Sequence, residues 1–365
     1  MEKLTNKEAV CLVLTIIASN IVLVSSQIIT RTCSSASLIN SLYISLIILF
    51  LMWIISILYK NFHGLDILDI SEFLGGKFLK TIVGILFMIY ALAAISVSLR
   101  KIADCLQIIY YPLTNIVYIV LLFLLATGIT CKFKVSSISR ANYIILPIIL
   151  SSVVLVFIGN TKNFNFENIF PILGYGTKET FLDGLGNMFV FSGMIYLYFI
   201  SPMLKNPDKF KKISLLSITI SAIFLLFAVS CIIFMFNTTI SSSELFPLYT
   251  SVRYIEFGSF FQRLDATFLL IWTISFLSSL CIVVKLCSYI LTKISNISND
   301  QPTIYPILLC IFSISILIKT NSFLEYTQNI IFKILFFAIV LGLALLILVS
   351  ANIKKKIYSK GSKNV

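Results

Sequence analysis

Long apolar runs separated by short polar connectors dominate the pattern of hydrophobic and polar positions along this chain of 365 residues. Runs such as Leu42–Tyr59, Ile213–Phe236 and Ile334–Ala351 approach or reach the roughly 20 residues that a helix needs to cross a bilayer. The connectors are too short to form a soluble domain. The pattern therefore predicts an all-α, polytopic fold in which residues 1–365 form a single transmembrane domain. Its ten spans are predicted at 8–30, 38–60, 79–104, 112–131, 140–159, 181–203, 213–237, 262–292, 303–320 and 329–352.

Composition and charge are typical of a membrane protein. Hydrophobic residues make up 59% of the chain and charged residues only 12%, which is about half the charged share of a soluble domain. The net charge of +13 would suggest nucleic-acid binding in a soluble protein. In a membrane protein, however, Lys and Arg report orientation, and no soluble face here interleaves basic with aromatic residues. We expect membrane lipid around the chain and no nucleic-acid partner.

The distribution of basic residues predicts how the chain is oriented. With the N-terminus in the cytoplasm, the inner connectors and the C-terminal tail hold about twice as many Lys and Arg residues as the outer connectors, as the positive-inside rule requires. Both termini are then cytoplasmic, which needs an even number of spans and agrees with ten. The outer connectors 160–180 and 237–261 are long enough to be lids or docking surfaces, or irregular linkers carrying interfacial aromatics.

Catalytic and metal chemistry finds little support in the sequence. The eight cysteines lack metal or disulfide-framework spacing, and the single His63 has no second histidine. No span carries a central Asp or Glu, and the chain contains no phosphate-binding loop, nucleophile elbow or catalytic pair of carboxylates. We expect neither an enzyme nor a cofactor. Lys285, inside the eighth span, is expected to extend its ammonium group to the inner boundary of the membrane.

Two spans carry polar or glycine interruptions near their middle. Span one contains Ser19-Asn20, and span six contains Ser192-Gly193. Broken transmembrane helices are tolerated only where they face protein or a cavity, and matching breaks in two halves point to a binding site at the midplane. The pattern predicts a five-plus-five inverted repeat with broken helices one and six. The alternative is that Ser and Gly only allow close helix packing.

Three passages of the chain carry a family resemblance. The first is Leu4-Thr5-Asn6-Lys7-Glu8, and the second joins Phe191-Ser192-Gly193 to Pro202-Met203-Leu204-Lys205-Asn206. The third and most specific runs from Phe246-Pro247-Leu248-Tyr249 through Gly258-Ser259-Phe260-Phe261-Gln262-Arg263-Leu264-Asp265 to Trp272. Together they resemble the B subunits of spore germinant receptors (the GerAB type), within the amino acid–polyamine–organocation transporter superfamily. The positions that this resemblance marks as a structural motif are Arg253, Gly258, Arg263, Asp265 and Trp272.

The resemblance implies a LeuT-like fold and a membrane subunit that senses a small germinant, an amino acid in the leading interpretation, and triggers spore germination. It also implies A and C partner subunits and a location in the inner membrane of the spore. The germinant would bind between spans one and six, with spans three and eight as walls. This chain has Ser19-Asn20-Ile21 where the superfamily has a Gly-x-Gly turn. The predicted ligand-binding residues are Ser19, Asn20, Ile21, Tyr90, Ala94, Ser192, Gly193 and Thr273.

Two other functions stay open. A secondary transporter of amino acids or polyamines would use the same fold, although the lack of a central carboxylate argues against proton coupling. A scaffold subunit with a vestigial pocket would only hold its partners, and the departure from the Gly-x-Gly turn keeps that alternative open. Arg263 and Asp265 are expected to orient the outer end of span eight, either as a local pair or toward Glu256.

Overall fold

A computed structural model describes residues 3–22, 26–255, 264–318 and 321–361 of the chain. Within these ranges all regular structure is helical, apart from one isolated backbone bridge between Leu4 and Leu204. The helices are α1 (Asn6–Asn20), α2 (Ser26–Cys33), α3 (Ser37–Tyr59), α4 (Ile67–Ile109), α5 (Ile116–Thr130), α6 (Val135–Gly159), α7 (Lys178–Met203), α8 (Phe210–Met235), α9 (Thr238–Ser243), α10 (Pro247–Arg253), α11 (Leu264–Ser295), α12 (Gln301–Leu317), α13 (Asn321–Gln328) and α14 (Asn329–Leu343 continued by Ala344–Gly361).

The outer surface of the helix bundle is apolar. Seven helical segments of the described ranges are long and apolar enough to cross a membrane, and α5 and α12 are shorter apolar helices. Large side chains such as Leu46, Phe50, Leu125 and Ile144 are 60% to 71% exposed, which a soluble monomer rarely tolerates over a wide surface. The chain is therefore an integral membrane protein. The all-helical prediction is confirmed, whereas the count of ten spans and the inverted repeat stay predictions.

The two interruptions predicted from the sequence fall where helical geometry changes. Helix α1 ends at Asn20 and α2 begins at Ser26, with residues 23–25 outside the described ranges. Helix α7 has 3₁₀ geometry over Asp183–Tyr196, and its residue Phe191 has non-helical dihedral angles (φ −86°, ψ 17°). Because 3₁₀ runs longer than three or four residues are uncommon and often mark functional segments, the middle of α7 is an unusual piece of backbone.

The N-terminal end of α1 is fixed by two sets of hydrogen bonds. The Thr5 hydroxyl accepts from the Glu8 backbone N–H while the Glu8 carboxylate accepts from the Thr5 N–H, at 3.4 and 2.7 Å, which forms a capping box. The Leu4 N–H donates to the Met203 carbonyl and the Lys205 N–H to the Leu4 carbonyl, at 2.7 and 2.9 Å. Two of the three passages that carry the family resemblance are therefore bonded to each other, which ties the start of α1 to the end of α7.

Helix α4 begins well before the predicted third span, and a glycine kink separates this added segment from the rest of the helix. Gly76 has φ +71° and ψ −167°, and Gly75 is also non-helical. A positive φ is accessible to glycine without steric cost, so this pair lets the first two turns of α4 leave the axis of the following helix. The span predicted at 79–104 lies in the part that follows the kink.

Candidate functional site

A small cavity lies where α1, α4, α7 and α11 meet, and its volume is about 30 Å³. This is room for one or two water molecules, so an amino acid would need a wider arrangement of the four helices. The side chains and backbone around it include no charged residue. The lining residues are Ile16 and Asn20 of α1, Tyr90, Ala91, Ala94, Ile95 and Ser98 of α4, Ser192, Gly193 and Ile195 of α7, and Ser279 and Val283 of α11.

Gly193 brings the backbone of α7 directly against α1. A Cβ added at this position would lie 2.7 Å from Cγ1 of Ile17 and 3.0 Å from Cγ2 of Ile16. Both isoleucines are nearly fully buried, so they have little space into which to retreat. The contact needs a residue without a side chain, and it accounts for the glycine in the Phe191-Ser192-Gly193 passage.

The structure brings together five of the eight residues predicted to bind a ligand. Asn20, Tyr90, Ala94, Ser192 and Gly193 all line the cavity. The Ser98 hydroxyl donates to Oδ1 of Asn20 at 3.4 Å, which links α4 to the end of α1. The binding role of these five residues stays a prediction.

The other three predicted residues lie outside the cavity lining. Ser19 is buried, and its hydroxyl donates to the Ile16 carbonyl of its own helix at 2.9 Å. Ile21 is fully buried as the residue that follows α1. Thr273 is half-buried and donates to the Leu269 carbonyl at 2.8 Å.

Helix α11 contributes Ser279 and Val283 to the cavity, neither of which the sequence analysis selected. Ser279 lies near the middle of α11, whereas Thr273 lies almost two turns closer to its N-terminal end. Ser98 was also missed, although it is one turn from Ala94 and two turns from Tyr90 on the same helical face. Two signals in the sequence could have found these residues. One is the one-turn spacing of positions 90, 94 and 98, and the other is the place of Ser279 near the midpoint of span eight.

Three buried polar groups near the cavity have no hydrogen-bond partner among the described residues. They are the hydroxyl of Tyr90, the hydroxyl of Ser275 and the indole N–H of Trp272. Tyr90 lines the cavity, and Ser275 and Trp272 lie one and two turns from Ser279 along α11. An unsatisfied buried polar group costs about 1–3 kcal/mol, so a polar ligand or water at this place would relieve that cost.

The described residues include part of the third passage that carries the family resemblance. The Tyr249 hydroxyl donates to Oδ2 of Asp265 at 3.1 Å, joining α10 to the first turn of α11. Burial and then the Asp265 carboxylate raise the pKa of Tyr249, so its hydroxyl keeps its proton and remains a donor. Arg253 is exposed at the end of α10, and the buried Trp272 ring packs on Phe268 with centroids 5.6 Å apart. The predicted structural residues Gly258 and Arg263, and Glu256, lie outside the described residues.

Two buried lysines within the helices have hydrogen-bond partners. The Lys285 ammonium, buried within α11, lies 2.9 Å from Oδ2 of Asp300 at the beginning of α12. This lysine meets a carboxylate beyond the end of its helix, and its position at the inner boundary of the membrane stays a prediction. Lys101 is buried and donates to Oε1 of Gln27 at 2.5 Å, so the C-terminal half of α4 is bonded to α2.

Comparison with known proteins gives the family. A family model described as spore germination protein matches residues 3–324. The chain belongs to this family. It is also 22% identical over 233 residues to spore germination protein B2 of Bacillus subtilis (strain 168), in an alignment that covers 64% of this chain and 62% of that protein.

Membership of the spore germination protein family confirms the resemblance drawn from the three passages. Together with its apolar helices, it makes the chain a germination-related, permease-like membrane subunit. The matched residues include every described residue that lines the cavity, so the cavity belongs to the part of the chain that the family shares.

Proposed function

We propose that this spore germination protein is the membrane subunit of a nutrient-germinant receptor that binds a small germinant, with an amino acid as the first class to test. The observation that carries the proposal is the cavity itself, which is formed where α1 ends and α7 loses α-helical geometry and is lined by the buried Tyr90. Neutral groups of Asn20, Ser98, Ser192 and Ser279 surround the same space. They suit a small zwitterion because they supply both donors and acceptors without a net charge.

Binding would act by selecting a wider arrangement of the helices. The cavity of about 30 Å³ is too small for an amino acid, so the germinant must prefer an expanded state. A ligand shifts such an equilibrium only by its differential affinity for the two states. The A and C subunits in the inner membrane of the spore would respond to the expanded state and start germination, with both termini of this subunit in the cytoplasm.

Substitution of Gly193 tests this proposal. Spores carrying Gly193→Ala should need at least about fivefold less germinant for half-maximal germination, because the added methyl group overpacks only the narrow state, at a cost of roughly 1–3 kcal/mol. Gly193→Trp should abolish the response, because its indole would fill the space that the germinant needs. Gly128→Ala is the matched control, since its added Cβ meets only Cδ1 of Leu308, at 3.2 Å. Germination is followed by the fall in optical density over a panel of nutrients. A normal response in Gly193→Trp spores with normal subunit levels would contradict the proposal.

A secondary transporter is a second candidate, because the family is permease-like and the cavity lies among the core helices. Substrate counterflow in proteoliposomes separates the two functions. Uptake of a nutrient that the protein binds would support transport, and binding without uptake supports the receptor. The third candidate, a scaffold with a vestigial pocket, is favoured by the small cavity. Its signature would be a thermal-shift scan over amino acids in which no compound stabilises the purified protein.

A further inference from the structure

A groove of about 440 Å³ lies between α1, α6 and α8, separate from the candidate site at the middle of the bundle. Its volume falls within the range of small-molecule pockets. Leu216 and Tyr143 at its edge are 44% and 47% exposed, so the groove opens on the apolar outer surface. Its wall is formed by Val10 and Leu14 of α1, Leu146 and Leu150 of α6, and Ile213 and Ile220 of α8.

One end of this groove is strongly basic. Lys7, Lys209 and Lys212 line it, all three are exposed, and none has an ion-pair or hydrogen-bond partner for its ammonium group within the described ranges. Lys7 lies in the first turn of α1, and Lys209 and Lys212 lie at the start of α8. Helix N-termini carry partial positive charge. A 3₁₀ turn over Pro207–Lys209 leads directly into α8, so the positive end of this helix lies beside Lys209.

The carboxylates nearest in sequence to these lysines are engaged elsewhere. The Glu8 carboxylate accepts from the Thr5 N–H at 2.7 Å and lies 3.6 Å from Nε of Arg140. Asp208 lies 3.5 Å from Nδ1 of His63 and lines a different groove. The three ammonium groups therefore keep their positive charge uncompensated at the mouth of the groove.

Asn6 adds a hydrogen-bonding group to the same mouth. Its Oδ1 is buried and has no donor among the described residues. A hydroxyl group placed beside the three lysines would satisfy this oxygen. The mouth thus combines sites for an anion and for a hydroxyl donor above a wall of hydrocarbon.

We propose that the groove binds an anionic phospholipid of the phosphatidylglycerol type. Its phosphate lies among Lys7, Lys209 and Lys212, a headgroup hydroxyl donates to Oδ1 of Asn6, and one acyl chain runs along the apolar wall. Basic pockets between helices at the cytoplasmic face are suited to anionic headgroups. The lysines lie at the end of the bundle that the charge distribution assigns to the cytoplasm. An acidic soluble segment of a partner would leave the apolar wall uncovered.

The lipid would act on α1, the helix that also supplies Ile16 and Asn20 to the cavity. An acyl chain between α1 and its neighbours α6 and α8 fills space that α1 would otherwise use to move sideways. Bound lipid therefore stabilises the packing of α1 against Gly193. This role does not depend on the receptor function proposed above.

Native mass spectrometry of the full chain in detergent, titrated with phosphatidylglycerol or phosphatidylcholine, tests the proposal. The wild type should retain one phosphatidylglycerol molecule in preference to phosphatidylcholine. The triple variant Lys7→Gln, Lys209→Gln, Lys212→Gln should bind it about 100-fold more weakly, because each basic side chain near an anionic lipid contributes roughly fivefold. Leu216→Trp, which fills the apolar part and keeps the lysines, should also lose the lipid.

The matched control carries the same change at three exposed lysines outside the groove. Lys60→Gln, Lys77→Gln, Lys132→Gln should retain the lipid with wild-type affinity. Equal loss in both triple variants would overturn the proposal, because the binding would then follow net charge alone. Displacement of the lipid by millimolar glycerol phosphate would also overturn it, since the headgroup alone would then suffice. The proposal would also be overturned if the groove triple variant bound the lipid normally but lost its partner subunits, because the groove would then bind a protein.

Discussion

Replacing Lys293 with methionine tests the charged network that joins the beginning of α4 to the end of α11. Asp66 is fully buried, and its Oδ1 caps α4 by accepting from the backbone N–H groups of Leu68 and Asp69 at 3.0 and 2.9 Å. Its Oδ2 accepts from the Tyr289 hydroxyl at 2.5 Å and from the Lys293 ammonium at 2.6 Å. Lys293 also lies 2.7 Å from Asp69, so a single cation serves two carboxylates.

The expected cost of Lys293→Met follows from this geometry. Removing one partner of a buried ion pair costs about 3–5 kcal/mol. The Lys293 side chain is 20% exposed, and the capping bonds to Asp66 survive the substitution. We therefore expect the lower end of that range, about 3 kcal/mol of unfolding free energy, near pH 8.

The cost should depend on pH in a defined direction. Burial raises the pKa of Asp66, and the attraction of Lys293 only partly opposes it. A carboxyl group whose pKa is higher in the folded state favours folding below its unfolded pKa, and that contribution is lost as pH rises through the folded pKa. Without Lys293 the folded pKa rises further. The difference between variant and wild type should therefore shrink on acidification from pH 8 to pH 5.

Thermal unfolding in detergent measures this effect with the protein's own thiols. Seven of the eight cysteines are buried, so a thiol-reactive fluorophore reports their exposure. Lys80→Met is the control, because the Glu72 carboxylate that it leaves behind, 2.8 Å from Lys80, is 37% exposed whereas Asp66 is fully buried, so the solvated carboxylate should cost less than about 1 kcal/mol. Equal shifts of the melting temperature for the two variants, or a Lys293→Met shift that is the same at pH 5 and pH 8, would refute the reasoning.

Three further substitutions have defined outcomes in the same assay. Tyr90→Phe removes a buried hydroxyl that has no hydrogen-bond partner by geometry, so the protein should keep its stability or gain up to about 1 kcal/mol, while the spore response to germinant weakens. A clear fall in the melting temperature would show that this hydroxyl does have a partner. Asp300→Asn leaves the buried Lys285 ammonium without its carboxylate and should cost about 1–2 kcal/mol, since Asp300 itself is 46% exposed. Tyr249→Phe deletes the bond to Asp265 and should cost about 1 kcal/mol, and an unchanged melting temperature would show that this bond contributes nothing.

The parts of the site that could be predicted from the sequence depend on the position of a residue within a single helix. Gly193 stands out because a glycine at mid-span has few uses besides close packing or a break, and the structure gives it a close contact with α1. Asn20 stands out as a polar side chain at mid-span, and it lines the cavity. Both inferences need only the position of a residue along its own helix.

The parts that could not be predicted depend on how helices are placed relative to each other. Thr273 and Ser279 are both small hydroxyl residues of α11, and only the axial position of α11 against α4 decides that Ser279 lines the cavity. The pairing of Asp66 with Lys293 joins residues 227 positions apart. Nothing in the periodicity of either helix reports such a contact, because the apolar pattern fixes which face is buried and leaves the neighbouring helix unspecified.

The bonds on α1 indicate how the cavity would widen. At its N-terminal end the backbone of Leu4 is bonded on both sides to the end of α7, so the two helices cannot separate there without losing two hydrogen bonds. At its other end, α1 is linked to α4 by the long hydrogen bond from Ser98 to Asn20, which contributes about 1 kcal/mol or less. We infer that widening is a rotation of α1 about its N-terminal end, with the largest displacement at Asn20. A germinant that contacts Asn20 would then act at the place where α1 moves most.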